Sequence, residues 1–243
     1  MYRLEEGYWW YRGLRDRIVL ALDAHAPGFH SLLDAGCGTG GVLDHLRACH
    51  PRARLVGLDR SPHALERCRM RGCRLLARAS VNEIGIRGGT FDVVTCNDVL
   101  YFEGVDDRRA IAELARVLAT GGILVLNLPA FEFLRGAHDA FVSGHRRYTR
   151  GDVVRLVCGA GLEVVRITYW NAALFPAVAV VRQLRKTRQR TLQSDLRPIP
   201  ATLNRVLYTL LRLEAVWLRH GSLPFGTSVL CIARKPSRVP QVS

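Results

Sequence analysis

Leu32-Leu33-Asp34-Ala35-Gly36-Cys37-Gly38-Thr39-Gly40-Gly41 is the stretch on which the reading of this 243-residue chain turns. A short apolar run over 31–36 ends in alternate glycines and gives way to helical periodicity over 40–49, a strand–loop–helix junction. Open α/β sheets bind ligands at such junctions. Glycines there let the backbone turn sharply and lie flat against a ligand, since a Cβ would clash. Asp59 follows 19 residues after Gly40, at the tip of a second apolar run over 54–59, where a carboxylate can accept both hydroxyls of a ribose. Two ligand types compete for the loop. Dinucleotide binders show G-x-G-x-x-G and seat a pyrophosphate on the helix N-terminus, whereas the spacing here is Gly36-x-Gly38-x-Gly40. Asp34 would repel an anion but not an ammonium or sulfonium, so a cationic ligand is the better electrostatic match.

Working outward, helical periodicity occupies 14–25, 61–72, 107–118 and 150–160, and apolar strand-like runs occupy 73–77, 91–97, 123–127, 162–169 and 227–234. Gly121-Gly122 reads as the stop of the 107–118 helix. Strands alternating with helices at this spacing give an α/β class with a parallel sheet covered on both faces. Between the last two strands lies a block too long for a tight connection. Leu203, Val206, Leu207, Leu210, Leu213 and Trp217 recur along one side of its 202–218 segment. That side is expected to pack on the core, making 171–226 a helical lid. Arg205, Arg212 and Arg219 recur every seven residues and share a stripe away from it. The alternative is a helix lying on an anionic membrane surface or holding a lipid-linked substrate.

Apolar residues make up 49% and charged residues 23%, which excludes a disordered chain. The longest apolar run, 172–181, contains Pro176 and is too short to span a membrane. Residues 1–14 lack the pattern of a signal peptide. Net charge is +14, and 33 of the 35 basic residues are Arg. Residues 1–130 carry 17 basic and 15 acidic side chains, and residues 131–243 carry 18 and 6, so the basicity belongs to the second half. That half either faces something anionic or is simply a solvated Arg-rich surface. Seven scattered cysteines without a C-x-x-C fit reduced thiols in a cytoplasmic protein, with no disulfide frame and no metal site.

The glycine segment resembles the first motif, D-x-G-x-G-x-G, of class I S-adenosylmethionine (SAM) dependent methyltransferases, in the methyltransferase type 11 group. Gly57-Leu58-Asp59, Phe91-Asp92-Val93-Val94, Asp98-Val99-Leu100 and Ala115-Arg116-Val117-Leu118 before Gly121-Gly122 add to the likeness. It is close over 30–130 and looser over 131–170. The resemblance implies a Rossmann-like, seven-stranded, mostly parallel sheet in one domain over 1–243, with an N-terminal cap and helix at 1–29. It implies SAM as cofactor, with Asp34, Gly36, Gly38 and Gly40 around its methionyl and ribose parts. Asp59 would take the ribose hydroxyls, and Ser80 with the Val81 backbone would touch adenine. Asn97 and Trp10 are further candidate cofactor contacts, Trp10 from the aromatic block at 8–11. The family's D-V-L-x-H reads Asp98-Val99-Leu100-Tyr101-Phe102 here, so the usual His is absent.

Tyr8-Trp9-Trp10-Tyr11 form an aromatic block suited to covering a site, and aromatic faces attract a sulfonium. A third cluster, His138-Asp139 with His145-Arg146-Arg147-Tyr148, follows the fifth strand's loop, where an acceptor would sit. His145 is the favoured base for an acceptor hydroxyl and His138 the second candidate. Arg146, Arg147 and Tyr148 are the candidate substrate contacts, Arg for a carboxylate or phosphate. The favoured function is methyl transfer to a small molecule, at a hydroxyl of a metabolite, sugar or lipid-linked substrate. A second reading keeps SAM but expels methylthioadenosine by cyclisation or aminocarboxypropyl transfer. Nucleic acid is disfavoured as a partner, because no RNA-binding module is evident and no Asn/Asp-Pro-Pro-aromatic sequence follows the fourth strand.

Overall fold

A computed structural model describes residues 6–136, 139, 144–186 and 199–237. Its elements, in chain order, are α1 (Trp9–His25), β1 (Ser31–Ala35), α2 (Gly41–Cys49), β2 (Arg54–Asp59), α3 (Pro62–Met70), β3 (Leu75–Arg78), β4 (Phe91–Asn97), α4 (Asp107–Val117), β5 (Leu118–Pro129), α5 (Arg150–Gly159), β6 (Glu163–Trp170), α6 (Phe175–Lys186), α7 (Ala201–Trp217) and β7 (Ser228–Arg234). The strands form one sheet in the order β3-β2-β1-β4-β5-β7-β6. Neighbours from β3 to β5 run parallel, and β7 runs antiparallel to both β5 and β6. The expected Rossmann-like, mostly parallel α/β sheet is the observed one.

β1 is buried along its whole length, which is why it reads as an apolar run and not as an alternation. On one face Leu33, Val94 and Leu124 meet Ile111 and Leu114 of α4 and Val153 and Val157 of α5. On the other, Leu32, Val93 and Val125 meet Ile18 and Leu22 of α1 and Leu43 and Leu46 of α2. Local chemistry sets the helix starts. The Asp106 carboxylate accepts from the Arg108 and Arg109 amides ahead of α4, and Thr149 with Asp152 forms a capping box at α5.

Three elements depart from expectation. α1 begins at Trp9, because Trp9, Gly13, Leu14, Arg17 and Ile18 continue one buried face through the aromatic block. β5 begins at Leu118 and runs through Gly121-Gly122, whose backbone exchanges hydrogen bonds with Lys235 beyond β7 (2.8 and 2.9 Å). The glycines therefore extend the strand where the sequence suggested a helix stop. The third departure is α7, whose expected inward row mostly faces outward: Leu203, Val206, Leu210, Leu213 and Trp217 are exposed, and of the six only Leu207 packs against the core. Its inward face, carrying Asn204, Tyr208, Leu211 and Glu214, packs on α1. Among the described residues no helix is long and apolar enough to cross a membrane.

Candidate functional site

A cavity of about 750 Å³ opens at the carboxyl ends of β1, β2 and β4, the place where a parallel sheet leaves loop backbone free to meet a ligand. Its floor is the loop from β1 to α2. The Gly36 and Cys37 amides both donate to the Leu58 carbonyl (2.7 and 2.9 Å), which folds the loop back over β2. Gly36 (φ 84°) and Gly40 (φ 86°) cannot be replaced there. A Cβ would lie 2.2 Å from Val99 Cγ2 at Gly36 and 2.4 Å from Cys68 Sγ at Gly40. Gly38 lines the cavity, and a Cβ on it would stand in open space, where a ligand lying flat needs room.

Asp59 ends β2 at the cavity wall. Its Oδ2 accepts from the Gly38 amide (2.9 Å) and its Oδ1 from the Ser61 amide (2.8 Å), so the carboxylate is oriented before any ligand arrives. Ser80 and Val81, just past β3, line the same side. Asp34 lies below the floor, 2% exposed, and accepts from Thr95 Oγ1 at 2.7 Å. It does not line the cavity, and neither do Gly40 and Asn97. Asn97 keeps a buried amide with no hydrogen-bond partner among the described residues.

The opposite wall is the N-terminal segment Tyr8-Trp9-Trp10-Tyr11. Trp10 stacks on Trp170 at the end of β6, with centroids 5.7 Å apart and planes 24° apart. The Arg17 guanidinium lies 4.4 Å from the Trp170 ring and pairs with Glu214 of α7 at 2.8 Å. Glu214 also accepts from the Asn171 and Ala172 amides (2.6 and 2.7 Å). One carboxylate thus joins α1, α7 and the turn after β6 behind the aromatic wall.

The far end of the cavity holds a group that the sequence reading passed over. Asp98 follows β4 in a left-handed conformation (φ 54°) and lines the cavity. Its Oδ2 accepts from Asn127 Nδ2 at 3.0 Å. Burial pushes its carboxyl up to about 7, against the opposing pull of Asn127 and of the Arg147 charge. Asn127 Oδ1 in turn accepts from Trp170 Nε1 at 2.7 Å. Asn171, also left-handed (φ 58°), lines the cavity as well, and its Oδ1 has no partner among the described residues. Positive φ at two non-glycine cavity residues is the strain that binding sites tend to store. Tyr101 lines the cavity too, its phenol pushed up by burial and by the Asp98 and Asp139 charges.

The third sequence cluster divides. Arg147 lines the cavity, bonded to both oxygens of Asp139 (2.9 and 3.1 Å) and to the Ala130 carbonyl (3.1 Å). Arg182 of α6 reaches the same Asp139 at 3.4 Å, so two guanidinium groups share one carboxylate at the cavity edge. The other residues lie elsewhere. His145 is exposed, does not line the cavity, and is fixed through its backbone amide to the Tyr101 carbonyl (2.8 Å). The structure thus gives no support to His145 as a base. Arg146 pairs with Asp107 outside the cavity. Tyr148 is fully buried, donating to the Leu100 carbonyl at 3.0 Å. Both are removed from the substrate contacts, since each is spent on joining its loop to the fold. His138 lies outside the described residues.

A strand-end glycine loop, a pre-oriented carboxylate on the next strand and an aromatic cover define a site for a nucleoside-bearing ligand on an α/β sheet. The comparisons narrow that class. A family profile described as "Methyltransferase domain" matches residues 33–126. The chain is 31% identical over 186 residues to an uncharacterized 37.1 kDa protein in transposon TN4556 of Streptomyces fradiae, a match over 73% of this chain and 52% of that one. It is 34% identical over 134 residues to the dTDP-4-amino-2,3,4,6-tetradeoxy-D-glucose N,N-dimethyltransferase of Saccharopolyspora spinosa, over 52% and 51% of the two chains. In fold it resembles a Haloferax volcanii structure of the Trm112 methyltransferase activator with a putative methyltransferase, at TM-score 0.61, 19% identity and 93% coverage of each chain. The chain spans about half the length of the curated relatives it matches. Residues 33–126 thus match a methyltransferase domain, on a fold shared with solved methyltransferase structures.

Proposed function

We propose that the protein is a SAM-dependent methyltransferase that acts on a small-molecule acceptor, at a hydroxyl of a sugar, metabolite or lipid-linked substrate. The observation that carries this reading is the continuity of one cavity, from Asp59 and Ser80 at one end to Asp98, Arg147 and Asn171 at the other. Bound SAM supplies a methyl group made electrophilic by its sulfonium. The residues present fit it. The open space over Gly38 accommodates a flat ligand, the two oxygens of Asp59 accept the ribose hydroxyls, and Ser80 and the Val81 backbone meet the adenine. Trp10 and Tyr11 cover the sulfonium side and exclude water.

The acceptor lies at the far end. Asp98 replaces His145 as the candidate base: its Oδ1 takes the proton of the acceptor hydroxyl while Asn127 holds Oδ2. A carboxyl near 7 is matched to that task at neutral pH. Asn171 Oδ1 accepts a second donor of the acceptor, and Arg147 and Arg182 hold an anionic group on it. Asp34 acts from beneath, adding negative charge under the loop, while the bond it accepts from Thr95 ties β1 to β4.

Incubation of the purified protein with SAM alone, then with hydroxylated acceptors or with RNA, tests the reading by mass spectrometry of the products. S-adenosylhomocysteine formed only when a small acceptor is present is expected. Methylthioadenosine from SAM alone, or methylation confined to RNA, would overturn it.

A further inference from the structure

Helix α7 is built inside out. Its protein-facing side carries polar anchors around the buried Leu211 and half-buried Leu207: Asn204 Oδ1 accepts from the Trp9 amide (2.8 Å), Tyr208 donates to Asp16 (2.7 Å), and Glu214 pairs with Arg17 (2.8 Å). Its outward side is apolar. Val206 is 56% exposed, Leu213 64%, Val216 58% and Trp217 65%, with Leu203 and Leu210 exposed beside them. At 100° per residue these six side chains fall on one arc of the helix, and Arg205, Arg212 and Arg219, all exposed, run along one edge of it. The helix has one acid, Glu214, which is turned inward. The outward face therefore presents hydrocarbon, the hydroxyls of Thr202 and Thr209, one terminal tryptophan and only positive charge.

We infer that α7 seats the protein on an anionic phospholipid membrane surface, with the apolar arc in the acyl–headgroup boundary and the arginines against lipid phosphates. Water is a poor neighbour for six large apolar side chains in a row, and soluble surfaces seldom carry such a patch without a partner. The charge pattern selects the lipid. An interfacial helix combines a Leu/Val/Trp face with flanking Arg, and the excess of 18 basic over 6 acidic residues in 131–243 adds long-range attraction to a negative surface. Pairing of α7 with a second copy would bring two arginine rows into one interface, which like charges oppose. Docking of this kind goes beyond the chemistry of the cavity and is independent of it.

The test is co-sedimentation of the full chain with vesicles of pure phosphatidylcholine and of phosphatidylcholine mixed with phosphatidylglycerol. Partition onto the anionic vesicles is expected, weakened by salt and far weaker on the neutral ones. The triple variant R205Q/R212Q/R219Q should lower partition by about 100-fold, near fivefold per arginine. L213S/W217S should lower it by at least about tenfold. Both sets change exposed positions, so circular dichroism and melting should match the parent. Failure of the parent to bind anionic vesicles overturns the inference, as does binding that neither variant weakens. A concentration-dependent dimer that L213S/W217S dissociates, with no vesicle binding, assigns the face to a second copy and overturns it equally.

Discussion

Glu214 makes the sharpest test of how this molecule holds its site, because one side chain joins three segments behind the aromatic wall. Its Oε1 accepts from Arg17 and from the Asn171 amide, and its Oε2 from the Ala172 amide. The substitution Glu214→Ala strands the Arg17 guanidinium, which is 4% exposed and whose affinity for its proton is already reduced by burial. Breaking a buried pair by removing one partner costs about 3–5 kcal/mol. The remaining Arg17 bonds to the Gly13 and Leu211 carbonyls (3.3 and 3.2 Å) and the Trp170 ring offset part of that loss. Of the two released amides, that of Asn171 belongs to a residue only 3% exposed and that of Ala172 to a half-buried one, adding about 1 kcal/mol each. A net loss of about 4 kcal/mol corresponds to a melting temperature lower by about 8–16 °C in a domain of this size. The assay is thermal unfolding by circular dichroism, with SAM affinity by calorimetry on the same samples. Affinity should fall as well, since α1 carries Tyr8–Tyr11 into the cavity. Removing both charges, as Arg17→Met with Glu214→Leu, should recover much of the loss, because no buried ion then remains unpaired. A Glu214→Ala drop of less than about 3 °C, or a double variant no more stable than the single one, would refute the clamp.

Asp59→Ala should weaken SAM binding by about 100-fold in calorimetry, two charge-assisted hydrogen bonds being lost; unchanged affinity would remove the ribose assignment. Turnover should rise as pH passes through about 7, where Asp98 ionises in the folded protein, and Asp98→Asn should abolish both activity and that rise. The same carboxyl binds its proton more tightly folded than unfolded, so its contribution to stability falls as pH climbs from about 4 to about 7. Asp98→Asn should flatten that slope in pH-dependent melts, and an unchanged slope would place the titration elsewhere. His145→Ala should leave turnover unchanged, since the ring is outside the cavity; a large loss would restore it as the base.

What could be read from the chain alone follows from the range of the physics involved. The glycine loop was legible because its causes are local: an apolar strand, three residues without Cβ, and a carboxylate a fixed distance on. Asp98 was visible only as part of a motif. Its chemistry comes from burial, from Asn127 across the sheet and from Arg147 on a distant loop, none of which is encoded in the residues beside it. The same limit explains why His145 looked like a base. A histidine near a predicted sheet edge has the right chemistry, but whether it reaches the cavity is set by how the 144–148 segment packs against the loop after β4, and there His145 stays exposed and outside the lining.

α7 shows the limit most clearly, because periodicity reveals that a helix has an apolar side but not which neighbour that side meets. The usual inference, apolar inward, assumes that water is the only exterior and that the polar side has nothing better to bind. Here the polar side does have something better. Asn204, Tyr208 and Glu214 find Trp9, Asp16 and Arg17 nearly 200 residues earlier in the chain, and Gly13 lets the two helices approach so closely that a Cβ there would lie 2.4 Å from Leu211. These bonds fix the helix rotation and leave Leu203, Val206, Leu210, Leu213, Val216 and Trp217 pointing out. Among the described residues nothing covers them, and the inferred membrane surface would supply their environment, the arginines beside them selecting an anionic one.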